Sequence, residues 1–228
     1  MGWSDRIRRG GTSDGESEAA EYDAPTEAEA GVDEVPAWLR TALRRDVTGP
    51  RTVMSAIAAD GEPVAARANG QDWVVAWHPP PEPPAGRRHG AEGICVTPDG
   101  QIVLISRDGD RWELPAGRPD GDETWEETLR REVLEEACAT VVRARLLGFT
   151  RGVCVAGHEQ GLVLVRSMWR ADVELARWDP RFEISHRRVV PAARLSAEVR
   201  LATLPFAPIV RRMIHEASVI QPPGQQKP

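Results

Sequence analysis

GRPDGDETWEETLRREVLEEACA, residues 117–139, is the stretch that sets the fold. A loop rich in glycine and acid runs into Thr124, and Glu127 follows three residues later. That pair is a capping-box signature and predicts a helix beginning at Trp125. Within the helix, Glu132, Glu135 and Glu136 fall at i, i+3 and i+4 and share one arc of roughly 100°, while Val133, Leu134 and Ala137 point the other way. Three anions on one face repel, by about 0.2–0.5 kcal/mol per i,i+4 pair. A solvated acidic face is the ordinary meaning of such a run. Here Arg131 precedes the first glutamate, Glu123 lies upstream and glycines open the loop. Oxygen-rich clusters of this kind suit Mg²⁺ or Mn²⁺, and a cation would relieve the repulsion.

The segment resembles the Nudix box, G-x5-E-x7-R-E-U-x-E-E-x-G-U with U a bulky aliphatic residue. Gly117, Glu123, Arg131, Glu132, Val133, Glu135 and Glu136 all stand where the pattern asks. Cys138 occupies the place of the last glycine, and Ala139 that of a larger aliphatic. A glycine there would let the helix end in a left-handed turn; a cysteine makes that turn costlier, so the helix is expected to run on or end differently. The resemblance covers about residues 88–216 and implies an α/β chain, a Nudix-type α/β/α sandwich around a mixed sheet. It also implies hydrolysis of a pyrophosphate bond in a nucleoside diphosphate linked to another moiety (a nucleotide sugar, an ADP-ribose-like compound or a nucleoside triphosphate), with Mg²⁺ or Mn²⁺ as cofactor.

Carried over residue by residue, the resemblance makes Glu132 and Glu136 the principal metal ligands. Glu135 shares a second cation or acts as base, and the Ala116 carbonyl completes the shell. Arg131 enters the catalytic set by pairing with Glu123, and Gly117 and Gly121 let the loop backbone come close. A further acid from a later loop is expected as ligand or base: Glu183, six residues before Val189, with Glu159 as the runner-up. His158 and His186 read as loop residues. Trp112 and Trp178 either stack on a base or fill the core. A binding module that senses a nucleotide such as ADP-ribose without turnover is the alternative function, but all the box glutamates and its arginine are present, which favours catalysis. An isomerase of the same fold would need a further nucleophile or metal cluster, and none is evident.

The net charge of −6 is unevenly spread. Residues 11–35 hold nine acids and no base, and residues 36–228 hold 26 basic and 25 acidic side chains. A nearly neutral body gives no electrostatic reason to expect nucleic acid as a partner. Cys95, Cys138 and Cys154 are odd in number and widely spaced, which fits reduced thiols. There is no signal-peptide core and no run of apolar residues long enough for a membrane span. A cytoplasmic protein without membrane contact is expected.

Residues 1–35 read as a disordered acidic tail. From Pro36 to Gly86 an N-terminal extension is expected: a helix over PAWLRTALRRDV, then strands near 52–59, 63–69 and 72–78 in an antiparallel meander. Trp73, Val75 and Trp77 share one side, and both tryptophans read as core. Extensions of this kind add strands or form dimer contacts in the family, so a homodimer is compatible with the resemblance. HPPPEPPAG, residues 78–86, reads as a polyproline linker and boundary. The main domain, 87–218, then opens with a hairpin about Pro98-Asp99-Gly100. After the box come two long strands joined at Ala156–Gln160, a loop at Ala176–Phe182, the strand RRVVP, helical SAEVRLATL and PFAPIVRRMIHEASV, and a flexible tail over 219–228. The markers of particular substrates known for the family are absent, so the moiety beyond the diphosphate is open.

Overall fold

The computed structural model describes residues 57–219. The expected acidic tail, the helix at 36–47, residues 52–56 of the expected strand near 52–59, and residues 220–228 lie outside them. Eight strands form one sheet: β1 (Val64–Ala68), β2 (Gln71–His78), β3 (Arg87–Val96), β4 (Gln101–Ser106), β5 (Ala116–Gly117), β6 (Ala139–Ala156), β7 (Val163–Leu175) and β8 (His186–Pro191). The order is β1-β2-β6-β7-β3-β4-β8, with β5 paired to β3. All pairings are antiparallel except β3 with β7, so the sheet is mixed.

Period-two alternation builds two cores from the same strands. Ala91, Cys95, Val103 and Ile105 face α1 (Trp125–Ala137), whose Leu129, Val133 and Ala137 are buried against them. Ile94, Val96, Ile102 and Leu104 face the opposite layer, where α3 (Ala207–Ala217) packs through Ile209, Met213 and Ile214. Each fully buried aliphatic side chain contributes about 1.5–3 kcal/mol. This is an α/β architecture with helices on both faces of a mixed sheet. Leu134, expected on the apolar side of α1, is instead exposed.

The box helix starts where its cap dictates. Thr124 Oγ1 accepts from the Glu127 N–H (3.2 Å), and Glu127 Oε2 accepts from the Thr124 N–H (2.8 Å). At the other end the helix does not run on: Cys138 adopts the left-handed turn itself, at φ 46°. The last turn carries no base of its own. Arg187 from β8 supplies one, donating to the carbonyls of Ala137 (2.7 Å) and Cys138 (3.1 Å), where a cation complements the helix dipole. A left-handed residue other than glycine costs roughly 1–2 kcal/mol. Cys138→Gly is therefore expected to raise Tm by about 2–4 °C in thermal unfolding. A fall would mean that the Cys138 Sγ contact to the Asp179 carbonyl (3.5 Å) outweighs the backbone strain.

Two expectations are corrected. Of the segment 52–59, residues 57–59 form no strand. The Ala58 N–H donates to the Pro208 carbonyl (3.2 Å), and Arg212 Nη1 donates to the Ala58 carbonyl (3.1 Å), so the chain lies along α3. SAEVRLATL is not one helix: α2 (Leu195–Glu198) stops, Arg200 turns left-handed at φ 51°, and a 3-10 turn spans Leu201–Thr203. Arg200 is held there by Asp110 (2.7 Å), while Leu195 and Leu201 are both buried in the core.

The β1–β2 hairpin continues the sheet through β6, and Trp73 and Trp77 are fully buried in the same core as Ile94 and Met168. The Pro-rich segment thus crosses from one part of a shared core to another. Among the described residues no helix is long and apolar enough to cross a membrane.

Candidate active site

The box loop is stitched to the sheet. Ala116 pairs with Glu92 and Gly117 with Ala91, and the Pro115 carbonyl accepts from the Gly93 N–H (3.0 Å). That places the loop against the middle of β3, with the acidic arc of α1 beside it. Gly117 leaves the Glu132 carboxylate its place: a Cβ there would overlap it, and that side chain would have to move.

Arg131 is the hub of the ion pairs. Its Nε donates to Glu123 Oε1 (2.7 Å) and its Nη2 to Glu123 Oε2 (3.0 Å), a bidentate fork. Nη2 also donates to the Arg118 carbonyl (2.6 Å), and Nη1 to Glu132 Oε1 (3.1 Å) and Glu135 Oε2 (3.2 Å). The Glu123 carboxylate also accepts from the Asp120 N–H (2.9 Å) and lies 3.2 Å from Thr128 Oγ1. Arg131 above all holds the Glu123 carboxyl well below its usual 4.5, at about 2. A depressed carboxyl stabilises the fold above its unfolded pKa, and that contribution is lost as pH falls from about 4.5 towards 2. Over this window the Tm of the wild type is expected to fall more steeply than that of Glu123→Gln; parallel curves would remove Glu123 from the acid response.

Glu136 is buried, and its Oε2 accepts the Ala116 N–H (2.9 Å). The amide of Ala116 is thus tied to the acidic arc. Burial, and after it the nearby Glu136 charge, push the Cys95 thiol far up, leaving it unreactive.

The three glutamates share one arc, but they do not form a ready-made trio. Among the described residues no three Asp, Glu, His or Cys side chains gather as a group that could hold an ion. The reason is visible in the bonds: Arg131 Nη1 sits between Glu132 and Glu135, while the loop amide takes Glu136. By donor chemistry the face nonetheless fits a hard divalent cation, since Glu132, Glu135 and Glu136 offer carboxylate oxygens on one face and Gly117 leaves Glu132 its room.

Residues 86–214 match the NUDIX domain family model, more than half of the chain. The chain belongs to the Nudix family. Among solved structures it is similar to the pyrophosphohydrolase BsRppH of Bacillus subtilis (E68A mutant), at 20% identity and TM-score 0.49, over 65% of this chain and 94% of that one. A NUDIX hydrolase from Nitrosomonas europaea follows at 17% identity and TM-score 0.45, over 58% and 88%. The NUDIX domain of Shewanella oneidensis NrtR, complexed with ADP ribose, matches at 17% and TM-score 0.41, over 59% and 87%. No curated protein sequence is a significant match. Nudix hydrolases generally use divalent metals.

Glu183, Glu159, Trp178 and Trp112 of this Nudix chain fall in four places. Glu183 is exposed on the loop before β8 and pairs with Arg107 (2.8 Å). Glu159 is tied to Gln71: its carboxylate accepts from Nε2 (2.6 Å) and its N–H donates to Oε1 (2.8 Å), fastening the β6–β7 turn to β2. Trp178 packs on the α1-side core beneath Arg187 (5.2 Å). Trp112 lies under Arg188 (4.0 Å) and lines a pocket of about 350 Å³ that opens beside Ala116. Glu92, Leu114, Leu204, Phe206 and Val210 share its walls, together with Arg166.

Arg166 and Glu92 went unnoticed in the sequence. Arg166 is only 2% exposed, with Nη1 at 3.4 Å from Glu92 Oε2. The available signal was an arginine between Leu164 and Met168 on the inward side of a strand, where a charge is rarely tolerated without a purpose. Beside it His89 is buried, and its pKa is pushed down to about 2, first by burial and then by Arg166, Arg118 and Arg87.

Proposed function

We propose that the chain is a Mg²⁺-dependent hydrolase that cleaves a pyrophosphate bond in a nucleoside diphosphate linked to another moiety. The observation that carries this reading is the acidic arc of Glu132, Glu135 and Glu136 set beside Ala116, where the pocket opens. Glu132 and Glu136 would hold the cation, with Glu135 and the Ala116 carbonyl completing its shell. A divalent cation bound there supplies charge neutralisation at the diphosphate and acidification of water, the two things this slow reaction lacks.

The protein's own groups do the rest. Arg131 fixes the loop through Glu123 and the Arg118 carbonyl, so the backbone at Ala116–Gly117 is in place before substrate arrives. Glu135, or Glu183 once it leaves its arginine partner, takes the proton of the attacking water. The oxygen bridging the two phosphorus atoms leaves, and the pocket beside Trp112 receives the nucleoside or the moiety attached to it. An exposed pair such as Glu183–Arg107 is weak enough to be given up on binding.

The test is release of nucleoside monophosphate from a panel of nucleoside diphosphate derivatives and triphosphates, with Mg²⁺, with Mn²⁺ and with EDTA. Turnover that needs the cation supports the reading; binding without release under every condition would replace hydrolysis by nucleotide sensing. Glu183→Gln is expected to slow turnover at least about tenfold with the protein folded. An unchanged rate would move that role to Glu159 or remove it.

A further inference from the structure

Three arginines gather where β6 and β7 pass the end of α3. Arg145 lies directly across the ladder from Arg170, and Arg143 across from Asp172. Residues paired in this way point to the same face, so three guanidinium groups share one carboxylate. The four side chains line a recess of about 210 Å³. Like charges facing each other across a ladder destabilise it. The C-terminus of α3 offsets part of that cost: Arg145 Nη2 donates to the Glu216 carbonyl (2.8 Å) and Arg170 Nη1 to the Ala217 carbonyl (2.9 Å).

The recess still has an excess of positive charge. Asp172 is taken by Arg170 Nε (3.1 Å). Arg143 and Arg145 are exposed, and neither has a carboxylate partner among the described residues. Of the other acids close by, Glu216 pairs with Arg212 (2.6 Å), and Glu174 is exposed further along β7. β2 pairs with β6 only over Phe149–Ala156, so it leaves the stretch at Arg143–Leu147 uncovered. An extended acidic segment would fit this face by charge and by room.

The chain carries such a segment. Residues 14–34 hold nine acids and no base. The described residues begin at Ile57, and the Ala58 backbone is held along α3 by Pro208 and Arg212. From Pro208 to Ala217 the helix rises about 14 Å. Residues 36–56 lie between the acidic segment and that anchor, and a stretch of their length measures about 31 Å as a helix or about 25 Å as a coil. Either exceeds the distance to be spanned, so the segment meets the arginines at millimolar effective concentration. The chain beyond Val219 leaves from the same corner, but residues 220–228 carry one lysine and no acid.

We propose that the face formed by Arg143, Arg145 and Arg170 docks the acidic segment of the same chain, residues 14–34, which returns along α3. The segment supplies the carboxylates that Arg143 and Arg145 find nowhere else among the described residues. Glu21, Tyr22 and Asp23 suit the recess best, since two carboxylates there flank a ring that stacks on a guanidinium. The contact is electrostatic. The Debye length falls from about 8 Å at physiological salt to about 3 Å at 1 M, so salt releases it. None of this depends on the hydrolase reading, which monophosphate release from the panel decides separately.

The test is fluorescence anisotropy with a labelled peptide of residues 14–34 at low salt, added to full-length protein. In the tail variant all nine acids of that segment become Asn or Gln, which alters no described residue. The tail variant should bind the peptide, and wild type should bind it at least about tenfold more weakly, because its own segment occupies the face. Adding R143E/R145Q to the tail variant should weaken binding at least about tenfold; the glutamine keeps a donor for the Glu216 carbonyl. R143Q, milder for the fold, should weaken it about threefold. R67E/R181Q, the same change of charge on exposed arginines elsewhere, should stay within about twofold. Salt at 1 M should abolish binding throughout. Docking is overturned if the tail variant binds no peptide, if wild type binds it equally well, or if R67E/R181Q loses as much as R143E/R145Q. Weak binding by a wild type that light scattering shows to be a dimer, beside a monomeric tail variant, would put the segment on a second copy and overturn the contact within one chain.

Discussion

Glu136→Gln is expected to lower kcat by at least about a thousandfold while the protein remains folded. Glu136 is the most buried member of the acidic arc and the one held by the loop through the Ala116 N–H. A glutamine keeps that hydrogen bond, because its carbonyl oxygen can accept it, and it keeps the volume. What it removes is one full negative charge from a desolvated position, where a cation would depend on it most. The measurement is single-turnover and steady-state release of nucleoside monophosphate, with thermal unfolding as the control. A rate within a few-fold of wild type, at unchanged Tm, would take Glu136 out of the mechanism.

Gly117→Ala should cost about a hundredfold or more, since displacing a catalytic group by an ångström has that effect. The added methyl would overlap the Glu132 carboxylate, so either that side chain swings out of the arc or the loop lifts from β3. Both outcomes separate Glu132 from Ala116 without touching any charge. Activity should therefore fall even though every ionisable group remains. Raising Mg²⁺ should restore part of it if the defect is one of cation affinity. Wild-type activity in Gly117→Ala would show that the close approach has no bearing on catalysis.

Local signals survived the passage from sequence to structure best. The capping box at Thr124 and Glu127 is written in four consecutive residues, and it starts α1 where expected. The hairpin at Pro98–Gly100 is equally local. The end of α1 was not legible there, because the counterweight to a left-handed cysteine comes from Arg187, some fifty residues away. The same holds for Glu183: counting residues back from Val189 selects it, but counting cannot reveal Arg107 as its partner. The arc of three glutamates was legible from helical spacing. That Arg131 threads between two of them was not, since its side chain could have satisfied Glu123 alone. Arg166 shows the deeper limit, for its burial is decided jointly by β3, the box loop and the layer around Phe206.

The β1–β2 hairpin has a bearing on how this molecule is divided. The family match begins at residue 86, after the hairpin, yet β2 pairs with β6 from Phe149 to Ala156 and buries two indoles in the common interior. Severing the chain among its prolines would leave that stretch bare and a void the size of two indoles beneath it. The limits of the family match and of the shared core thus fall at different residues: the hairpin that lies before the match is packed into the same interior.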